Sequence, residues 1–113
     1  MMIFKILRAA EFAELDRRGE SDGAPVDRAD GFVHFSTAEQ LAETAARHFA
    51  GEDDLVLAAV AVEPLAPALK WEPSRGGALF PHLYRRLRRS DLAWVVPLPL
   101  GPDGAHIIPD LDA

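Results

Sequence analysis

Asp30-Gly31-Phe32-Val33-His34-Phe35-Ser36-Thr37 carries a short apolar strand straight into a helix start, and brings a histidine and two hydroxyls to that junction. Phe32, Val33 and Phe35 are aromatic or β-branched and favour an extended backbone, while Asp30-Gly31 is turn chemistry ahead of them. His34 alternates to the face opposite Val33 and Phe35. Ser36, with Glu39 three residues on, fits a capping box ahead of the apolar positions Leu41, Ala42, Ala45 and Phe49. A helix is therefore expected from Ser36 or Thr37 to about Ala50, ended by Gly51. Its free N–H groups and positive dipole end would then lie beside His34, a place suited to an anion or a ribose-phosphate.

At 100° per residue this helix divides into three stripes. Ala38, Leu41, Ala42, Ala45 and Phe49 form the core face, and Glu39, Glu43 and Arg47 a charged one, with Glu43 and Arg47 at ion-pair spacing. Thr37, Gln40, Thr44 and His48 make a neutral polar stripe that starts beside His34. It either lines the same cleft or marks the border between core and solvent. His48, in the last turn, also suits the negative dipole end.

Before the central stretch, Ile3 to Leu7 reads as a strand inside a sheet, Ala9 to Arg17 as a short amphipathic helix and Arg18 to Asp30 as a long loop. After it, the unbroken apolar run Leu55 to Val62 is expected as a central strand covered on both faces. Leu69 to Glu72 alternates like a strand, and Pro73 to Gly77 is a turn. Ala78 to Tyr84 contains Pro81, which excludes helix, so a loop or irregular strand is expected there with His82 and Tyr84 pointing the same way. Asp91 to Leu100 is a last strand, placed at a sheet edge by Pro97 and Pro99. The tail, 101–113, is expected to be turn-like and poorly ordered.

The composition narrows the field of functions. With 113 residues, 49% of them hydrophobic, the chain suits one domain, expected as mixed α/β (α+β), with its core at about 3–100. It has no cysteine, which removes disulfides, thiolate catalysis and cysteine-ligated metal. Neither a signal peptide nor a membrane span is legible, so a cytoplasmic protein is expected. The net charge of -6 opposes non-specific nucleic-acid binding over the whole surface.

Three groups carry chemical potential: His34 with Ser36 and Thr37, the pair Trp71-Glu72, and Phe80-Pro81-His82-Leu83-Tyr84. Each has a structural alternative, since a strand histidine is often a satisfied core residue, Trp71 and Phe80 are ordinary core aromatics, and Glu72 is an ordinary solvated acid. His34, His48 and His82 show no local metal-ligand spacing, and no metal is expected. Ser36, His82 and Asp30 sketch a hydrolase triad, but the nucleophile elbow is missing, and Gly76-Gly77 is a weak phosphate signal. Arg85, Arg86, Arg88 and Arg89 are the strongest local charge feature. They can meet the phosphates of a nucleotide or RNA, or pair with some of the 18 acidic residues.

Taken in order, Asp30 to Gln40, Asp54-Leu55-Val56-Leu57, Leu69-Lys70-Trp71-Glu72 and Phe80 to Tyr84 resemble a family of small bacterial proteins of unknown function, from Ile3 to about Leu100. That family is grouped with the ADP-ribosyltransferase-like fold, a split, bent sheet that holds NAD in its cleft. The resemblance implies that His34 and Ser36 meet the ribose and nicotinamide side of NAD. It also implies that Tyr84, Phe80 or Trp71 stack on the ring, and that Glu72 faces the positive charge developing on the sugar. Together with the residue reading, it gives His34, Glu72 and His82 as catalytic candidates. Ser36, Thr37, Gln40, Thr44, Trp71, Phe80 and Tyr84 are the ligand-binding candidates. NAD-dependent ADP-ribosyl or phosphotransferase activity is the function implied, and a non-catalytic small-molecule or RNA binding module on the same fold is the alternative.

Overall fold

Strand β1 (Met2–Arg8) pairs antiparallel with β4 (Leu55–Ala61), and β8 (Leu92–Leu98) lies on the other side of β4. The computed structural model describes residues 1–111. Leu55, Leu57 and Ala59 project from one face of β4 into a core with Phe4, Ile6 and Leu41. Ala58 and Val60 project from the other face into a second core with Ile3, Leu7, Val33 and Leu83. The unbroken apolar run of β4 follows from this double burial, and β8, with Pro97, forms the expected edge.

β1 sits at the rim of its sheet, not inside it as expected. Its apolar character reports two covered faces and says nothing about how many strand neighbours it has. Its outer edge is closed in part by reciprocal backbone hydrogen bonds between Phe4 and Ser36, both 2.8 Å. That pair joins the first sheet to a second, ordered β3 (Val33–His34), β6 (Leu79–Leu83), β5 (Leu69–Pro73). A ribbon of β2 (Glu20–Ser21) and β7 (Leu87–Arg88) completes the strands. Every described pairing is antiparallel, and the single domain is α+β, as the mixed class expected allows.

Residues 79–83, expected as a loop or irregular strand, form the central strand of the second sheet despite Pro81. The Pro81 carbonyl accepts from Phe35 N–H at 3.0 Å, so its nitrogen faces the same side, where β3 has ended. No ladder donor is lost toward β5.

The helices are α1 (Ala9–Arg18), α2 (Pro25–Asp30) and α3 (Ala38–His48). α2 lies within the expected loop. Pro25 opens it, the Asp27 carboxylate accepts Ala24 N–H at 2.7 Å, and Gly31 (φ +86°) closes it by donating to the Asp27 carbonyl. α3 is capped by Thr37 with Gln40, not by Ser36 with Glu39, because both backbone groups of Ser36 are already committed to Phe4. Thr37 Oγ1 accepts Gln40 N–H and Gln40 Oε1 accepts Thr37 N–H. Thr37→Ala is expected to cost about 1 kcal/mol in urea denaturation. The helix ends at His48, two residues before the expected Ala50, and Ala42 is exposed rather than part of the core face.

The tail is ordered, contrary to expectation, through residue 111. Leu100 bridges to His106, the His106 ring bonds the Glu52 carbonyl, and Ile108 and Leu111 pack on the core. Asp112 and Ala113 lie outside the described residues. Among those described, no helix is long and apolar enough to cross a membrane.

Candidate functional site

Lys5 is the one charge within the apolar run of β1 and is only 8% exposed, so it needs a buried partner. α2 supplies it. Asp27 Oδ2 lies 2.9 Å from Lys5 Nζ, which also donates to the His34 carbonyl at 3.0 Å. Asp27 Oδ1 accepts from His34 twice, from the backbone N–H at 3.0 Å and from ring Nδ1 at 2.6 Å. Burial alone pushes the Asp27 carboxyl up, but the His34 hydrogen bonds and the Lys5 charge outweigh it and hold the group down at about 2. The second ring nitrogen of His34, Nε2, lies 3.0 Å from the half-exposed carboxylate of Asp30.

Strand pairing sets His34 opposite His82, with ring centroids 5.3 Å apart. His82 is 4% exposed, and its Nδ1 lies 2.9 Å from Glu72 Oε1, which also accepts the Tyr84 hydroxyl at 2.6 Å. Those hydrogen bonds, Tyr84 first and His82 second, lower the Glu72 carboxyl, and the Tyr84 hydroxyl is raised by the same contact. His82 Nε2 is buried without a hydrogen-bond partner. Phe32 packs over this group, 4.1 Å from the His82 ring in a stacked arrangement, 4.6 Å from His34 and 5.2 Å from Tyr84.

These elements border a cavity of about 740 Å³ where the two sheets meet. Its polar lining includes Lys5, Asp27, Asp30, His34, Ser36 and His82, with Arg8 and Glu11 among the other charged groups, and Phe4, Phe35, Phe49 and Phe80 are in its apolar part. Ser36 and Thr44 share a 2.8 Å hydroxyl contact at its wall. A smaller space of about 420 Å³, lined by Phe32, Arg28, Tyr84, Arg85 and Arg86 among others, also touches Asp27.

A model of a family described as proteins of unknown function, DUF952, matches residues 6–95. The chain belongs to the DUF952 family. This DUF952 chain is similar to protein CC0527 from Caulobacter crescentus. In its crystal structure that protein is 50% identical, with a TM-score of 0.91, and the match covers 95% of this chain and 94% of that one. The solution structure of CC0527 gives 51% identity and a TM-score of 0.84, covering 92% and 90%. None of the curated proteins matches.

Within this DUF952 domain, His34, Ser36, Thr44, Phe80 and His82 line the cavity together. Thr37 and Gln40 are engaged in the helix cap, and Gln40 Nε2 also donates to the Leu79 carbonyl at 2.8 Å. Glu72 and Tyr84 stand behind His82, and Trp71 alternates to the other face of β5, opposite Pro81. Arg85 is bound to Asp91, Arg86 to Glu20 and Asp22, and Arg89 to Asp16, so most of the arginine cluster meets the chain's own acids. Asp30 appeared only in the sketched triad, and Lys5 and Asp27 were not among the expected site residues. The signal for them was a lysine inside an apolar strand, which demands a carboxylate from elsewhere.

Proposed function

We propose that the cleft between the two sheets binds a nucleotide-type ligand, with NAD as the candidate substrate, on an ADP-ribosyltransferase-like scaffold. The observation that carries this reading is the cavity, which is large enough for such a ligand and combines aromatic walls with a few convergent polar groups. His34 positions the ligand, Ser36 and Thr44 offer hydroxyls to a ribose, and Phe35 and Phe80 cover its flat parts. Cleaving the nicotinamide–ribose bond places positive charge on the sugar, and the half-exposed carboxylate of Asp30 at the cavity wall lowers the cost of that charge. Glu72 acts through His82, being bonded to it.

A second reading, a non-catalytic binding module, is favoured by that same engagement of Glu72, since an acid bound to His82 and Tyr84 is not free to face the reacting sugar. A thermal-shift titration with NAD and ADP-ribose, with nicotinamide release followed in parallel, tests both. At a hundredfold excess over Kd, binding adds about 2.7 kcal/mol, several degrees in Tm. His34→Ala is expected to weaken binding at least about tenfold, roughly 1.4 kcal/mol. The variant stays folded, because Asp27 keeps Lys5 and two backbone donors. No shift with either nucleotide sinks the proposal, and a shift without nicotinamide release selects the binding module.

A further inference from the structure

We propose that His34 and His82 together read a flat ligand edge that carries a hydrogen-bond donor beside an acceptor, such as a primary carboxamide or the amino edge of adenine. The inference rests on the cleft being a nucleotide site and names the part of the ligand that the two imidazoles recognise.

Each imidazole has Nδ1 held by a carboxylate, Asp27 at 2.6 Å and Glu72 at 2.9 Å. A carboxylate accepts, so each Nδ1 donates. The two Nε2 atoms then differ. That of His34 faces a second carboxylate, Asp30, at 3.0 Å, so with an acceptor at each nitrogen this ring donates from both, in its imidazolium form. That of His82 is buried with no partner and, with the ring proton on Nδ1, presents a bare lone pair. One ring therefore offers a donor and the other an acceptor, 5.3 Å apart between centroids, and both rings line the same cavity. An edge of opposite pattern satisfies both at once, and it relieves the buried orphan nitrogen of His82.

The carboxylates around this pair are not equally fixed. Asp27 is 1% exposed and bound on both oxygens, whereas Asp30 is half-exposed at the end of α2, next to Gly31. The ligand's acceptor replaces Asp30 on His34 and leaves Asp27 in place. Phe32 contacts both rings and fixes their planes. Glu72 is a positioning residue, because it sets which nitrogen of His82 is bare. His82 and Tyr84 both use its Oε1, an oxygen that glutamine keeps and alanine removes.

The test has two parts. Long-range proton–nitrogen correlation spectra of the labelled full chain near pH 7 read the protonation of each ring directly. The expected result is His82 with its proton on Nδ1 and a bare Nε2, and His34 with protons on both nitrogens; a proton on His82 Nε2, or a bare Nε2 on His34, overturns the proposal. Calorimetric titrations then compare nicotinamide with nicotinate, and adenosine with purine riboside, which lacks the amino donor. At least one donor-bearing member is expected to bind at least about tenfold more tightly than its counterpart, and the pair that discriminates identifies which end of NAD is read. Glu72→Gln keeps the ratio and Glu72→Ala brings it toward unity. Equal affinities within both pairs overturn the edge reading while NAD or ADP-ribose binding leaves the nucleotide site standing. Absence of binding by all six ligands removes both.

Discussion

Asp27→Ala is expected to lose about 3–5 kcal/mol of folding stability in urea denaturation, the range for removing one partner of a buried ion pair. The carboxylate accepts from Lys5, from the ring and backbone of His34, and from Ala24 N–H, so four groups from three segments depend on it. Without it the Lys5 ammonium stays buried with the His34 carbonyl as its remaining acceptor. Adding Lys5→Met to the variant should recover much of the loss, since an apolar side chain of similar length needs no counter-charge. A loss under about 1 kcal/mol for Asp27→Ala would show that the pair is not the keystone described. The pH dependence follows with a fixed sign. Asp27 sits at about 2 in the fold against an ordinary 3.8, a depressed value. Its contribution, about 2 kcal/mol, is therefore complete above about pH 4 and drains away as the pH falls toward 2. Asp27→Ala should lack that part of the acid limb.

The second large effect comes from a residue with no side chain. Gly23 has φ +93°, and a Cβ built there runs into the Asp27 carboxylate. That carboxylate cannot step aside without leaving Lys5 or His34. Gly23→Ala is thus expected to combine left-handed backbone strain of about 1–2 kcal/mol with overpacking of about 1–3 kcal/mol. Gly19 supplies the control. Its φ is +82° and nothing lies within 4 Å of an added Cβ, so Gly19→Ala should show the strain alone. Equal losses for the two variants, measured by urea denaturation, would mean that Asp27 yields easily and that His34 is less firmly held than its hydrogen bonds suggest.

The strands and helices with strong periodicity were legible from the residues. β4 is the doubly covered central strand that its unbroken apolar run implies, and Glu43 and Arg47 form the expected ion pair at 2.8 Å. Less legible was whatever depends on a partner far along the chain. Pro81 argued against a regular strand because sequence does not reveal that β3 stops beside it. Ser36 had the right chemistry for a cap but its backbone was claimed by Phe4, 32 positions earlier. Residues 25–30 looked like loop because six residues are too few for a periodic stripe, although Pro25, Asp27 and Gly31 mark a start and a stop. In the candidate site, His34 and His82 were legible as residue types and even as neighbours of turn and strand signals. Their different surroundings were not, since these arise from Asp27 and Asp30 on α2 and from Glu72 on β5.

The Phe4–Ser36 pair has a mechanical meaning. Two reciprocal backbone hydrogen bonds fasten one sheet to the other along the floor of the cavity. Widening the cleft at that line means parting a matched pair, at about 1 kcal/mol for each bond exchanged with water. The two bonds share one residue pair, so parting the sheets at that line is expected to break both together. A ligand long enough to touch both walls would act as a third fastener across the same seam.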